Sequence, residues 1–136
     1  MSATTTKRYI EGIGRRKTAS ARVRIIPASE TSIVINGKPI EEYFKHKAHL
    51  DRVYEVLDTP EAGVETYTIT VHVVGSGLSA QADAVRLGVA RALVEEKTER
   101  RTVLKKSGYL KRDPRAVERK KFGLRKARKR PAWSKR

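Results

Sequence analysis

The positive charge of this chain is concentrated at its C-terminal end. Residues 97–136 contain 18 lysines and arginines but only 3 acidic residues, whereas residues 1–96 contain 13 basic and 12 acidic residues. Within residues 111–136, here called the C-terminal tail, the large apolar residues are Val117, Phe122, Leu124 and Trp133. So few apolar side chains cannot offset a backbone entropy cost of about 1–2 kcal/mol per residue. The sequence therefore predicts a folded body over residues 1–110 and a polycationic tail that is mostly disordered until a partner orders it.

The overall composition restricts the class of partner. The chain of 136 residues has a formal net charge of +16 and a sequence pI of about 10.5. These values favour a polyanionic partner, either nucleic acid or an anionic membrane surface. The absence of cysteine excludes disulfides and thiolate metal sites, the apolar runs are far shorter than the roughly 20 residues of a membrane helix, and no apolar signal core is present. We therefore expect an intracellular RNA- or DNA-binding protein.

Hydrophobic periodicity predicts an α+β body. Alternation of apolar and polar residues, clearest over residues 65–74, is typical of strands with one buried face. Strands are predicted there and at Lys7–Ile13, Thr18–Ile26 and Ile33–Ile35. Helices are predicted over residues 47–57 and 79–96, in a short segment from Pro39 to Phe44, and from a Thr98 cap to Ser107-Gly108. We expect one four-stranded sheet with helices packed on it, and Gly88 is expected to allow a close approach of helix and sheet.

Three groups of residues predict contacts with phosphate. The first is Gly14-Arg15-Arg16-Lys17, where a turn between two strands projects three cations; the alternative is an ordinary solvated turn. The second is the turn from Gly75 through Gly77 to Ser79, where unpaired N–H groups at a helix start can bind an anion. It lacks the motif of a nucleotide-binding loop, and two glycines also suit a plain tight turn.

The third group is the tail itself. Asp113-Pro114 and Gly123 predict a short helix over Arg115–Phe122, and Pro131 favours an extended chain beyond it. Its cations are Lys111, Arg112, Arg115, Arg119, Lys120, Lys121, Arg125, Lys126, Arg128, Lys129 and Arg130. The alternative is a flexible solvated tail with no specific role, which does not require such dense positive charge.

Catalysis and metal binding are not expected. His46 and His49 are three residues apart near a helix start, but no third metal ligand is suggested. No Ser/His/Asp set and no isolated carboxylate pair is evident, so we expect no enzyme activity, no cofactor and no metal.

Several motifs are typical of one protein family. They are Gly14-Arg15-Arg16-Lys17, Ile35-Asn36-Gly37, Gly108-Tyr109-Leu110-Lys111-Arg112-Asp113, Val117-Glu118-Arg119-Lys120-Lys121, Lys126-Ala127-Arg128 and the terminal Ser134-Lys135-Arg136. The chain thereby resembles the family of protein nine of the small ribosomal subunit, of bacterial or organellar type, from about Tyr9 to Arg136.

This resemblance implies a structural, non-catalytic role on cytoplasmic or organellar ribosomes. The fold it implies is that of the second domain of ribosomal protein five, which small-molecule kinases share. The implied partners are small-subunit rRNA in the head, at the three groups of residues above, and neighbouring head proteins, with no membrane and no small-molecule substrate. Ser134, Lys135 and Arg136 would touch tRNA in the peptidyl site. Two alternatives remain open, namely a phosphotransferase of related fold and a nonspecific nucleic-acid chaperone.

Overall fold

A five-stranded mixed sheet forms the centre of the body. The computed structural model describes residues 8–59 and 65–134. The strands are β1 (Ile10–Arg16), β2 (Ala19–Pro27), β3 (Ser32–Ile35), β4 (Lys38–Pro39) and β5 (Tyr67–Val74), in the order β1-β2-β5-β3-β4. The β3–β5 pair is parallel and the other pairs are antiparallel. The α+β class is confirmed, but the prediction of four strands was wrong. A two-residue strand such as β4 is too short to produce a recognisable alternation.

Four helices accompany the sheet in the described part of the chain. They are α1 (Ile40–Tyr43), α2 (Lys47–Leu57), α3 (Leu78–Glu96) and α4 (Arg100–Lys106). α3 packs on β1 and β2, and α2 packs on α3. The core lies between α3 and the sheet, where the alternating residues Val23, Ile25 and Ile69 are fully buried.

Three glycines bring α3 unusually close to the sheet. A Cβ atom on Gly14 would lie 1.8 Å from the carbonyl oxygen of Ala84, and one on Gly12 would lie 2.3 Å from that of Gly88. A Cβ on Gly88 would lie 2.6 Å from Cγ2 of Val23. The close approach predicted for Gly88 is therefore confirmed, and Gly12 and Gly14 provide its other side. We call these three residues the glycine seam.

β1 and the tail differ from the sequence prediction. β1 continues three residues beyond the predicted end, to Arg16, because Arg16 still pairs with Ala19 of β2; Lys7 lies outside the described residues.

The helix predicted over Arg115–Phe122 was wrong, since residues 111–134 contain no helix or strand. Val117 and Phe122 are 91% and 100% exposed, so no apolar face packs on the body. A helix of eight residues without such packing is too short to be stable in water.

Candidate nucleic-acid interface

Two of the predicted phosphate sites meet at one end of the sheet. The turn between β1 and β2 consists of Lys17 and Thr18, and the β5–α3 loop begins at Gly75. A Cβ on Gly75 would lie 2.5 Å from the carbonyl oxygen of Thr18, so the two backbones are in direct contact. Only glycine permits this approach, because any Cβ atom would clash with that oxygen. Gly75 also has a φ of +87°, in the left-handed region that favours glycine.

The beginning of the tail joins the same end through Arg16. Its Nη1 donates to the carbonyl oxygen of Arg115 at 2.6 Å, and its Nη2 lies 3.4 Å from a carboxylate oxygen of Asp113. The side chain of Arg16 is only 12% exposed. Arg16 therefore holds the tail against the body and is a poor candidate for a direct phosphate ligand, whereas its neighbours Arg15 and Lys17 are exposed.

The β1–β2 turn, the β5–α3 loop and the start of the tail meet at this end of the sheet, which is here called the junction. A small cleft of about 40 Å³ lies there. It is lined by Arg15, Arg16, Asp83, Arg86, Leu87, Tyr109, Lys111 and Asp113. Side chains from β1, from α3 and from the start of the tail thus share one cleft, and its cations outnumber its carboxylates. The three groups of residues that the sequence singled out separately are brought together by the fold.

Two carboxylates organise the arginines of the junction. Asp83 lies 3.5 Å from Nε of Arg16, 3.4 Å from Nη1 of Arg52 and 3.9 Å from Nη2 of Arg86. Asp113 accepts hydrogen bonds from the side chain and the backbone N–H of Arg115, and these bonds hold the pKa of Asp113 well below its usual range. Because more guanidinium groups than carboxylates are present, the junction keeps a surplus of positive charge.

Two non-glycine residues at this end have strained backbones. Lys17 has φ +53° and Ser76 has φ +52°, in the left-handed region that costs a residue with a Cβ roughly 1–2 kcal/mol. Such strain is concentrated at functional sites in proteins. At position 17 a cation therefore stands where glycine would be the more stable choice.

The β5–α3 loop is fixed by side chains behind it. Gln81 Nε2 donates to the carbonyl oxygen of Gly75 at 2.9 Å, and Tyr43 Oη donates to Gln81 Oε1 at 2.6 Å. α3 begins after Gly77 with no side-chain cap on its first N–H groups. The hydroxyl of Ser79 accepts a hydrogen bond from Arg52 Nη1 at 2.7 Å. The loop is thus rigidly placed, with exposed backbone at Gly75 and Gly77.

The tail cations fall into paired and unpaired groups. Glu118 accepts hydrogen bonds from Lys121 at 2.5 Å and from Arg128 at 2.9 Å, which draws residues 118 and 128 together. Arg115 pairs with Asp113. The remaining predicted cations of the described tail are exposed: Lys111, Arg112, Arg119, Lys120, Arg125, Lys126, Lys129 and Arg130. Ser134 is also exposed, and Lys135 and Arg136 lie outside the described residues.

Sequence reasoning did not select two further basic surfaces. One is on α4, where Arg101, Lys105 and Lys106 are exposed. The other is on the sheet face opposite α3, where the side chains of Arg22 and Arg24 are 59% and 41% exposed. The signal for the second was present, because the alternation in β2 already places both arginines on the face away from the core.

The described residues contain neither a metal cluster nor a membrane span. No three His, Cys, Asp or Glu side chains within residues 8–59 and 65–134 are grouped to hold a metal ion. His46 and His49 instead contact each other, with ring centroids 5.4 Å apart, and His49 packs on Phe44. None of the helices described is long and apolar enough to cross a bilayer.

Comparison with known proteins identifies close relatives. The family described as Ribosomal protein S9/S16 matches residues 14–136. The chain is 50% identical over 129 residues to small ribosomal subunit protein uS9 of Nocardia farcinica, covering 95% of this chain and 76% of that protein. It is 48% identical to uS9 of Mycobacterium tuberculosis, covering 96% of this chain and 85% of the relative. It is 53% identical to uS9 of Gloeothece citriformis over the full length of both.

Proposed function

The chain belongs to the ribosomal protein S9/S16 family and is a structural protein of the small ribosomal subunit, and we propose that it binds rRNA of the subunit head while its tail contacts tRNA in the peptidyl site. Its relatives are ribosomal proteins, which favours this role over the phosphotransferase and the chaperone. Neighbouring head proteins are further partners, and the site of action is the cytoplasmic ribosome or its counterpart in an organelle.

The observation that carries the proposal is the meeting of two basic regions, the β1–β2 turn and the start of the tail, with the glycine loop of residues 75–79 at one end of the sheet. Arg15 and Lys17 are exposed at the β1–β2 turn. The start of the tail lies beside them, because Arg16 donates a hydrogen bond to the carbonyl oxygen of Arg115. Lysine and arginine side chains that cluster in this way neutralise phosphates where RNA segments converge. Gly75 and Gly77 contribute backbone that a phosphate can approach closely, next to these cations.

The tail and the body have separate tasks in this proposal. Residues 1–110 form the body, which positions the junction, and residues 111–136 form the tail, whose cations bind rRNA along its length. From Asp113 the chain can extend by up to about 80 Å, at roughly 3.3–3.6 Å per residue. That reach allows Ser134, Lys135 and Arg136 to contact a tRNA well away from the body.

Deletion of Ser134–Arg136 tests the role of the tail tip. Small subunits reconstituted with the shortened chain are expected to assemble normally but to bind peptidyl-site tRNA roughly 5- to 30-fold more weakly. The estimate comes from two lost cation–phosphate contacts of about 0.5–1 kcal/mol each. The slope of log affinity against log salt concentration is expected to fall by about 1.4–1.8.

A matched variant distinguishes the loss of the tail tip from the loss of positive charge elsewhere in the tail. Lys129→Gln/Arg130→Gln removes the same number of positive charges but leaves the tip intact, so it is expected to weaken rRNA binding and to spare tRNA binding. Unchanged tRNA affinity of the shortened chain across the salt titration would overturn the role of the tip.

The body is tested by Arg15→Gln/Lys17→Gln, measured as binding of the full chain to small-subunit rRNA. The expected result is a weaker affinity with a salt slope reduced by about 1.4–1.8, since two phosphate contacts are lost. Lys45→Gln/Lys47→Gln removes two exposed charges on the helical side and serves as control. Equal losses in both variants contradict a specific site at the junction.

A further inference from the structure

One face of the sheet is not covered by any helix of the described residues. α3 covers the face that carries Val23 and Ile25, and none of the four helices covers the opposite face. Residues on that face of β1, β2 and β5 are exposed or half-buried, and the junction described above uses only its edge, at Arg15. The open face carries the polar residues Glu11, Arg15, Ser20, Arg22, Arg24, Thr68, Thr70 and His72, and among them the apolar residues Ile13, Ile26 and Val74, of which Ile13 and Val74 are 46% and 53% exposed.

The strand register arranges these side chains in rows. Across β1, β2 and β5, Glu11 pairs with Arg24, which pairs with Thr70. The next row places Arg22 between Ile13 of β1 and His72 of β5. Neighbouring strands are about 4.8 Å apart and alternate residues of one strand about 6.7 Å apart, so the polar groups form a regular grid.

The charge of the open face is positive. Glu11 is its one carboxylate among the described residues, and it lies 3.2 Å from Nε of Arg22 and 3.8 Å from Nε of Arg24. Nε of Arg24 is buried and makes no hydrogen bond at this distance, and the terminal amino groups of both arginines have no hydrogen-bond acceptor among the described residues. The guanidinium of Arg24 also lies over the ring of Tyr9, 4.4 Å from its centroid, which restricts its movement.

The chemistry of this grid fits the backbone of RNA. Arginine donors recognise phosphate oxygens through a planar fork, and threonine hydroxyls bind phosphate or ribose. Apart from Tyr9, which is engaged with Arg24, the described face carries no large aromatic ring for base stacking. A surface of this kind is suited to bind the sugar–phosphate backbone rather than to recognise the bases.

We propose that the open sheet face binds the sugar–phosphate backbone of a second rRNA segment, distinct from the one held at the junction and by the tail. This inference rests on the proposed function, because it assigns a further partner surface to the same ribosomal protein. The body then lies between two RNA segments, one at the end of the sheet and one against its open face.

Tethered cleavage tests the surface directly. The chain has no cysteine, so Thr70→Cys attaches an iron chelate at one position, in the middle of the open face. Ala116→Cys places the same probe on the exposed tail. In assembled small subunits, hydroxyl radicals from position 70 are expected to cut a discrete rRNA segment that differs from the one cut from position 116.

The outcomes separate this inference from the proposed function. Cleavage from position 116 without cleavage from position 70 overturns the open-face site and leaves the proposed function standing. Cross-linking of the Thr70→Cys variant to a head protein through its new thiol, with no rRNA cut, overturns it as well, because the face is then a protein interface. Absence of rRNA cleavage from both positions contradicts the proposed function itself.

A charge variant provides a second measurement. Arg22→Gln/Arg24→Gln is expected to lower the salt slope of rRNA binding by about 1.4–1.8. Arg22→Lys/Arg24→Lys, which keeps the charge, is expected to retain most of the slope while losing the fork geometry. A slope unchanged in the glutamine variant, with an unchanged far-UV circular dichroism spectrum, overturns the proposal.

Discussion

Substitution of Gly14 by alanine is expected to damage the body more than any change of similar size on its surface. The added Cβ would lie 1.8 Å from the carbonyl oxygen of Ala84, 2.5 Å from the backbone nitrogen of Gly88 and 2.9 Å from the carbonyl carbon of Ala84. All three atoms belong to the backbone of α3, so no side-chain rotation removes the clash. α3 would have to move away from β1 by roughly 1.7 Å to restore an ordinary separation of about 3.5 Å.

The expected cost is about 3 kcal/mol or more. Overpacking that side chains can absorb costs about 1–3 kcal/mol, and a clash between two backbones lies at or above the upper end. A domain of this size is stabilised by only about 5–15 kcal/mol. For a body of about 100 residues, a loss of 3 kcal/mol lowers the melting temperature by roughly 12 °C or more.

Two other glycines complete the test, which uses urea and thermal unfolding of the full chain followed by circular dichroism. Gly88→Ala is expected to be intermediate, because the clash is with the Cγ2 of Val23 and alanine gains about 1 kcal/mol of helix propensity. Gly77→Ala meets nothing within 4 Å and is expected to cost less than about 1 kcal/mol. Equal stability of Gly14→Ala and Gly77→Ala would refute the close packing of α3 on β1.

Two further predictions concern the junction. Lys17→Gly is expected to raise the free energy of unfolding by about 0.5–1 kcal/mol, because it relieves a left-handed backbone, and to lower the salt slope of rRNA binding by about 0.7–0.9. Ser76→Gly is expected to give the same gain in stability with no change in the salt slope. A drop in the slope for both variants contradicts the assignment of Lys17 as a phosphate contact. The pKa of Asp113 is depressed in the folded chain by its hydrogen bonds from Arg115. The stability that these bonds contribute is therefore fully present above the usual pKa of aspartate and is lost only as the pH falls through the lower, folded-state pKa. The backbone N–H resonance of Arg115 is therefore expected to titrate below pH ~3.9, the ordinary aspartate value, and a midpoint at that value contradicts the contact.

Local patterns in the sequence predicted the body well. The limits of α2 were predicted at residues 47–57, because its apolar residues recur with the helical period and bury one face. β2 and β5 were predicted from strict alternation, and the buried residues follow it. These elements are specified by their own residues, so no knowledge of their neighbours was needed.

The features that local patterns did not reveal depend on how distant segments of the chain meet. Arg16 was expected to face phosphate with its neighbours, but it is drawn inward by Asp83 and by Asp113, which are far away in the sequence. The capping residues around Arg115–Phe122 favour a helix locally, yet that segment has no apolar surface on the body to pack against. Which phosphates the exposed cations bind remains a prediction, since the binding partner determines it.

The glycine seam and the junction are linked through one helix. Asp83 precedes Ala84, whose carbonyl oxygen is the atom closest to a Cβ on Gly14. The distance between α3 and β1 therefore sets the distance between Asp83 and Arg16, which is 3.5 Å. Arg16 in turn holds the carbonyl oxygen of Arg115. A helix displaced by more than an ångström is therefore expected to lengthen the Asp83–Arg16 pair and to weaken the support of the side chain that holds the start of the tail. Packing inside the body thus influences the position from which the tail leaves it.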